Sequence, residues 1–254
     1  MEQFEAWRAM LSANEPVTFW QRLYVYFYQA FIYKDRWQQY LNGVKTTLFV
    51  TAIALLIGVI LGLIVAIVRT AHDQQRTGHK NWLLGLLNSI FQVYVTVIRG
   101  TPMMVQLMIM GFVIFATSKD FALVGALTLG INSGAYTAEI IRGGLMSVDA
   151  GQTEAGRSLG LNYMDTMRFI IVPQAVKAIL PSLGNEFIVL LKDTSLISVI
   201  GGKELIYAAR GVISRTYEPM FPFLGAAFIY LVLVMVFTWL LGIFERRLRA
   251  SDRR

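Results

Sequence analysis

The chain has no cysteine, only six prolines and, for 254 residues, few charges. Without cysteine there is no disulfide, no thiolate zinc site and no cysteine nucleophile. The scarcity of proline leaves long helices uninterrupted. Asp, Glu, Lys and Arg make up 15% of the sequence, well below the roughly 25% of soluble domains. They are missing altogether from Thr46–Val68, Asn81–Ile98, Gly100–Ser118, Phe121–Ala138 and Pro219–Phe244. A bilayer-crossing helix needs roughly 20 apolar residues, and 56% of this chain is hydrophobic with a mean hydropathy of +0.54. The pattern predicts an all-α, polytopic membrane helix bundle with little chain left for a water-filled catalytic domain. The net charge of +7 belongs with the basic loops of membrane proteins. No basic stripe is interleaved with a reading surface, which excludes nucleic acid as a partner. His72 and His79 lie in one polar loop without ligand-type neighbours, and no nucleophile–base constellation occurs. The chain therefore offers no metal site, no catalytic residue and no bound cofactor.

What is present falls into three parts. Residues 1–40 are separate in character: residues 1–18 carry Glu2, Glu5 and Glu15 and no signal-peptide pattern. Residues 19–40 hold ten aromatics, with Trp20, Tyr24, Phe27 and Phe31 at helical spacing. Such rings suit the headgroup zone, so an amphipathic interfacial helix is expected, or else a lid packed over the bundle. Residues 41–245 form the membrane domain, with spans expected at about 44–68, 102–117, 121–141, 181–200 and 222–244. Residues 246–254 form a basic tail. In 81–98, Asn88, Gln92 and Thr96 recur every fourth position and mark a polar stripe, so this segment either lies along the bundle or crosses as a sixth span. The distribution of Lys and Arg mildly favours six spans; both counts place 142–180 and the tail in the cytoplasm.

The region 142–180 is the longest strongly polar insertion between spans. Asp149 can cap a helix over Ala150–Leu159, with Gln152 three residues on. Gly160 suits the position after a helix end, where a positive φ is common. Asn162 can cap a second helix that is expected to stop near Pro173, because the residue before proline resists the helical region. Ala155 and Gly156 leave one side of the first helix nearly bare, which suits either close approach by another protein or an ordinary amphipathic loop helix on the membrane.

Charges inside spans cost roughly 2.5–3.5 kcal/mol each on the insertion scale and mark functional sites. Glu186, Lys192 and Asp193 are such charges, with Thr194 and Ser195 beside them; Asn132 and Tyr136 share a face of another span. They line a candidate substrate pathway, or bond across helices. An α-amino acid carries both signs of charge, so Lys192 with carboxylates suits it. Glu139 and Arg142 lie three apart and read as a local ion pair.

Glu154-Ala155-Gly156, three residues, Gly160, nine residues, Ile170, one residue, Val172-Pro173 resembles the EAA loop of ABC-importer permeases, with Gly156 in place of the second alanine and Val172 in place of leucine. The resemblance runs from about residue 40 to 245. It includes Asn42-Gly43-Val44-Lys45-Thr46-Thr47, Arg99-Gly100-Thr101-Pro102, Ala138–Gly144 and Leu191–Leu196, all similar to the polar amino-acid subfamily that carries histidine, glutamine, glutamate, arginine or opines. It implies a type I importer permease of five core helices with the N-terminus outside, in a bacterial cytoplasmic (inner) membrane. It further implies a second permease subunit, identical or not, an extracytoplasmic substrate-binding protein, and ABC ATPase subunits that carry ATP and Mg. Glu154, Ala155, Gly156, Arg157, Gly160, Ile170 and Pro173 become the ATPase-coupling residues. The chain has no phosphate-cradling G-x-x-x-x-G-K-[ST] loop, so the energy must come from a partner. A self-powered secondary transporter is the competing reading; it gives no reason for the glycine-closed helix, and no repeat pair is visible.

Overall fold

The computed structural model describes residues 2–73, 75 and 81–250; His79 and the end of the tail lie outside the described residues. Among the described residues every regular element is helical. Helices α1 (Glu2–Ser12) and α2 (Phe19–Phe31) precede the long α3 (Trp37–Asp73). Then come α4 (Trp82–Gly100), α5 (Met103–Ile109), α6 (Phe121–Met146), α7 (Ala150–Ser158) and α8 (Tyr163–Thr166). The chain closes with α9 (Val172–Asp193), α10 (Leu205–Thr216) and α11 (Met220–Ala250).

The centre of the bundle is the seam between α3 and α6, and it is built from small residues. A Cβ placed on Gly58 would lie 2.7 Å from the Ser133 hydroxyl, and one on Gly62 would lie 2.6 Å from Thr137. Only glycine permits this approach, the small-residue packing by which membrane helices gain contact without a hydrophobic driving force. Val50, Ala54, Leu107, Leu129, Leu190 and Ile197 close the core on one side of the seam. Ala66, Ile141, Ala175 and Ile179 close it toward the far ends of α3 and α6. With its 37 residues, α3 reaches about 55 Å at ~1.5 Å per residue. It therefore outruns a bilayer core of about 30 Å.

Among the described residues four helices are long and apolar enough to cross a membrane: Tyr33–Asp73, Trp82–Gly100, Phe121–Met146 and Met220–Leu248. The segment 102–117, expected as a span, is shorter. Helix α5 runs through a π-turn to Ile114, and 12 residues rise only about 18 Å. Helix α4, long enough to cross by itself, packs its second half on the bundle, where Val95 lies beside Val65, Ala135 and Ala138. Gln106 locks the α4–α5 break by donating to the carbonyl oxygen of Ile98 at 2.8 Å and to the Thr101 hydroxyl at 2.8 Å.

Pro173 does not end a helix. The chain passes from α8 through a π-turn, Met167–Ile171, straight into α9, with the proline in the first turn. A π-turn shifts the hydrogen-bond register by one residue, which accommodates the missing proline N–H. Helix α9 is thus longer than the expected 181–200 and passes into a tight 3-10 segment, Thr194–Ile200.

Residues 1–40 form two helices rather than one. Phe4 is 1% exposed and stacks between Tyr28 and Tyr33, which ties α1 to α2. Phe27 meets Phe221 and Phe31 meets Tyr40, so one side of α2 sits on α11 and α3. Phe19 and Trp20, in the first turn of α2, are exposed. The hairpin combines a lid with an aromatic face turned outward.

Candidate functional site

Helix α7 is delimited by its own ends. The Asp149 carboxylate accepts from the Gly151 N–H at 2.6 Å. At the other end Gly160 takes φ +78°. There the Leu161 N–H donates to the Gly156 carbonyl and the Gly160 N–H to that of Arg157, the double bond pattern of a glycine-closed terminus. Asn162 then caps α8, accepting from the Asp165 N–H at 2.9 Å. The capping expected from the sequence is present, except that Gln152 accepts from Gln174 of α9 instead of closing a box on Asp149.

Gly156 is not on the bare outer side. It is buried, and a Cβ there would lie 2.7 Å from Thr166 Cγ2 and 3.3 Å from Ile170. The glycine seats α7 against the π-turn, with Ile170 as its floor. Glu154 and Ala155 remain exposed on the outer side and Pro173 is exposed beyond it. Arg157 is also exposed, yet it lines a cleft of about 800 Å³ with Asp73 and Arg142, turned toward the ends of α3 and α6. Among the described residues its side chain has no ion-pair or hydrogen-bond partner.

Ion pairs fix this end of the bundle. Glu139 of α6 is bonded to Arg69 of α3. Its nearest cation is thus a residue seventy positions away, while Arg142 stands at 4.0 Å from Glu139 and 3.5 Å from Asp73. The expected Glu139–Arg142 pair is the looser edge of a cluster that ties the C-terminal ends of α3 and α6 directly above α7.

The candidate pathway residues separate. Glu186, Lys192 and Asp193 lie along α9, where Asn185, Val189 and Lys192 form an exposed line at helical spacing. Among the described residues the Lys192 ammonium has no ion pair. Glu186 is tied to α6, its carboxylate accepting from the Ser133 hydroxyl at 2.7 Å. Thr194 is buried, donating to the Leu191 carbonyl at 2.7 Å, and Ser195 offers its carbonyl to Ser198; these two brace the 3-10 segment. Asn132 donates to Gln106 at 3.0 Å and so belongs to the α4–α5 lock. Tyr136 is exposed with the Arg99 guanidinium 5.1 Å over its ring. Two polar residues were not singled out in the sequence: Asn185, whose helix face could have been counted, and Glu204, which only its partners reveal. Glu204 lies in the connection before α10. It is 1% exposed, and its carboxylate accepts from the N–H groups of Ile206 and Tyr207 and from the Tyr230 hydroxyl. Burial outweighs these donors and pushes its carboxyl up to about 7.

Comparison with known proteins decides the family. Residues 58–250 match the family described as the binding-protein-dependent transport system inner membrane component. The chain belongs to that family. The glutamine transport system permease protein of Escherichia coli (strain K12) is 35% identical over 82% of this chain and 92% of its own length. The putative glutamine transport system permease protein of Rickettsia typhi (strain ATCC VR-144 / Wilmington) is likewise 35% identical over 82% of this chain. Among solved structures, an amino acid ABC transporter with histidines matches with a TM-score of 0.74 at 40% identity, covering 83% of this chain and 94% of that one. An inward-facing methionine ABC transporter shares the fold at 18% identity, with a TM-score of 0.69 over 83% of this chain. The chain is thus a multi-pass inner-membrane permease component of an ABC importer, with the type I permease fold.

Proposed function

We propose that this permease forms the membrane pathway for uptake of a polar amino acid, paired with a second permease chain. A separate ABC ATPase drives it through α7, and an extracytoplasmic binding protein feeds it. ATP and Mg²⁺ are held by the ATPase alone. One observation carries the reading: α7 presents Glu154 and Ala155 outward while Gly156 seats it on the π-turn that continues into α9. A push on α7 is therefore delivered to the helix that carries Glu186, Lys192 and Asp193.

On that helix, the Lys192 ammonium suits an α-carboxylate and the carboxylates of Glu186 and Asp193 suit an α-ammonium. In a site shielded from bulk water such pairs discriminate strongly, because a ligand lacking either group leaves a charge unmatched. The relatives named for glutamine and the amino acid transporter support this substrate class.

The test is uptake into vesicles that hold the permease with its ATPase. Glu154→Lys abolishes ATP-driven uptake while the permease still inserts into the membrane; undiminished uptake contradicts docking at α7. Lys192→Met lowers uptake at least about tenfold, as expected for one lost charge-assisted contact.

A further inference from the structure

The cleft that Arg157 faces does not end at the ion pairs. It opens into an apolar trough of about 550 Å³ between α3 and α9. The two share Thr70, Leu145, Tyr163 and Met167 on their walls. The mouth carries the polar groups: the Arg142 and Arg157 guanidiniums, the hydroxyls of Thr70, Thr153 and Tyr163 and one carboxylate, Asp73. The trough is almost wholly apolar, walled by Leu63, Ile67, Val176 and Leu180. Leu63, Ile67 and Val176 are also among the exposed residues, so the trough is open along the flank of the bundle.

We infer that this composite groove is a binding site for an anionic phospholipid of the leaflet on the α7 side. The phosphodiester lies between Arg157 and Arg142, and an acyl chain lies in the trough. The charge pattern selects this occupant. A groove that passes from two guanidiniums and three hydroxyls to bare hydrocarbon matches a phosphate joined to an alkyl chain. Basic pockets between membrane helices recognise acidic headgroups in this way. Arg142 is partly neutralised by Asp73 and Glu139, whereas among the described residues Arg157 has no such partner, so Arg157 supplies most of the selectivity for anionic over zwitterionic lipid. Tyr163 lines both parts with an apolar ring and a polar tip, as aromatic residues at headgroup depth do. Because Arg157 stands on α7 and Arg142 on α6, the bound headgroup bridges the coupling helix to the bundle. The lipid is then a structural element of the joint through which the helix acts.

The test is direct binding to the full-length chain. The protein is purified in detergent with equal phosphatidylglycerol and phosphatidylcholine, and the retained lipids are weighed by native mass spectrometry. Wild type retains phosphatidylglycerol in preference to phosphatidylcholine. Arg157→Gln lowers that preference about fivefold, the factor equivalent to one basic side chain at a membrane surface, and Arg157→Lys keeps most of it. Val176→Trp, which fills the trough, loses both lipids. Equal retention of the two lipids by wild type overturns the proposal, as does a preference unmoved by Arg157→Gln. Disulfide formation between two copies of Val176→Cys also overturns it, since the trough would then be covered by a second copy of the chain.

Discussion

The two ends of the bundle solve the problem of charge in different ways. At the α7 end, charges answer charges: Arg69, Glu139, Arg142 and Asp73 form a linked cluster between α3 and α6. At the opposite end the cations rest on rings and carbonyls instead. Arg8, Lys34 and Arg36 all lie within 5.5 Å of the Tyr33 ring centre, and Arg36 donates to the Gln29 carbonyl at 2.6 Å. Arg210 reaches the Ser198 carbonyl at 3.4 Å. The acid there, Glu204, is consumed as the cap of α10. Among the described residues, no ion pair joins elements at this end. A polar clamp across two helices is directional and holds the end that must transmit movement as a unit. Aromatic packing is less directional and suits a cover.

Four changes probe this contrast. The largest effect belongs to Phe4→Ala, which removes a fully enclosed ring for roughly 3–5 kcal/mol. Hydrogen exchange should rise sharply in residues 2–31 and stay unchanged around α7; protection lost at both ends would show that the covers are not independent. Next is Glu139→Gln. It takes the shared carboxylate from Arg69 and Arg142 and should cost about 2 kcal/mol in unfolding experiments, the value of hydrogen bonds to charged groups. The loss should shrink in high salt for these partly exposed side chains, while the Phe4 effect should not. Gly160→Ala forces a side chain into the left-handed region at φ +78° and should destabilise the α7 terminus by about 1–2 kcal/mol, seen as faster exchange of the Leu161 amide. The smallest effect is a pH slope at the opposite end. With its carboxyl raised to about 7, Glu204 binds its proton more tightly folded than unfolded. Its contribution to stability is therefore complete below its ordinary range and is lost as pH rises through about 7. Thermal unfolding of wild type should weaken between pH 5 and 8 relative to Glu204→Gln; parallel curves would remove Glu204 as the source.

These features were unequally legible in the sequence. Charge-free runs set the helical membrane class because lipid tolerates little else. The caps of α7 and α8 were readable because capping is local: Asp149, Gly160 and Asn162 act within five residues of themselves. Local rules also misled. Pro173 read as a stop, but the π-turn before it lets the helix continue. Gly156 read as part of a bare outer face, but the inner packing against Thr166 and Ile170 claims it. Asn132 and Thr194 read as pathway residues from their polarity alone, and hydrogen bonds within the bundle absorb both. What stayed invisible was long-range. Arg69 meets Glu139 across two helices, and Glu204 meets Tyr230 across another connection; neither partnership has a spacing that announces it. The helix α1 was equally hidden, since Phe4 is the one residue of it that is buried.

The central claim is that α7 is the point at which a separate motor acts on this permease. The absence of cysteine makes it directly testable: a single cysteine at Glu154 and a single cysteine on the ATPase surface, joined by a short thiol cross-linker in membranes. The account predicts rapid cross-linking that changes in rate when ATP is added, with no product from a cysteine at Lys203 at the opposite end. Cross-linking at Lys203 with none at Glu154 would contradict it.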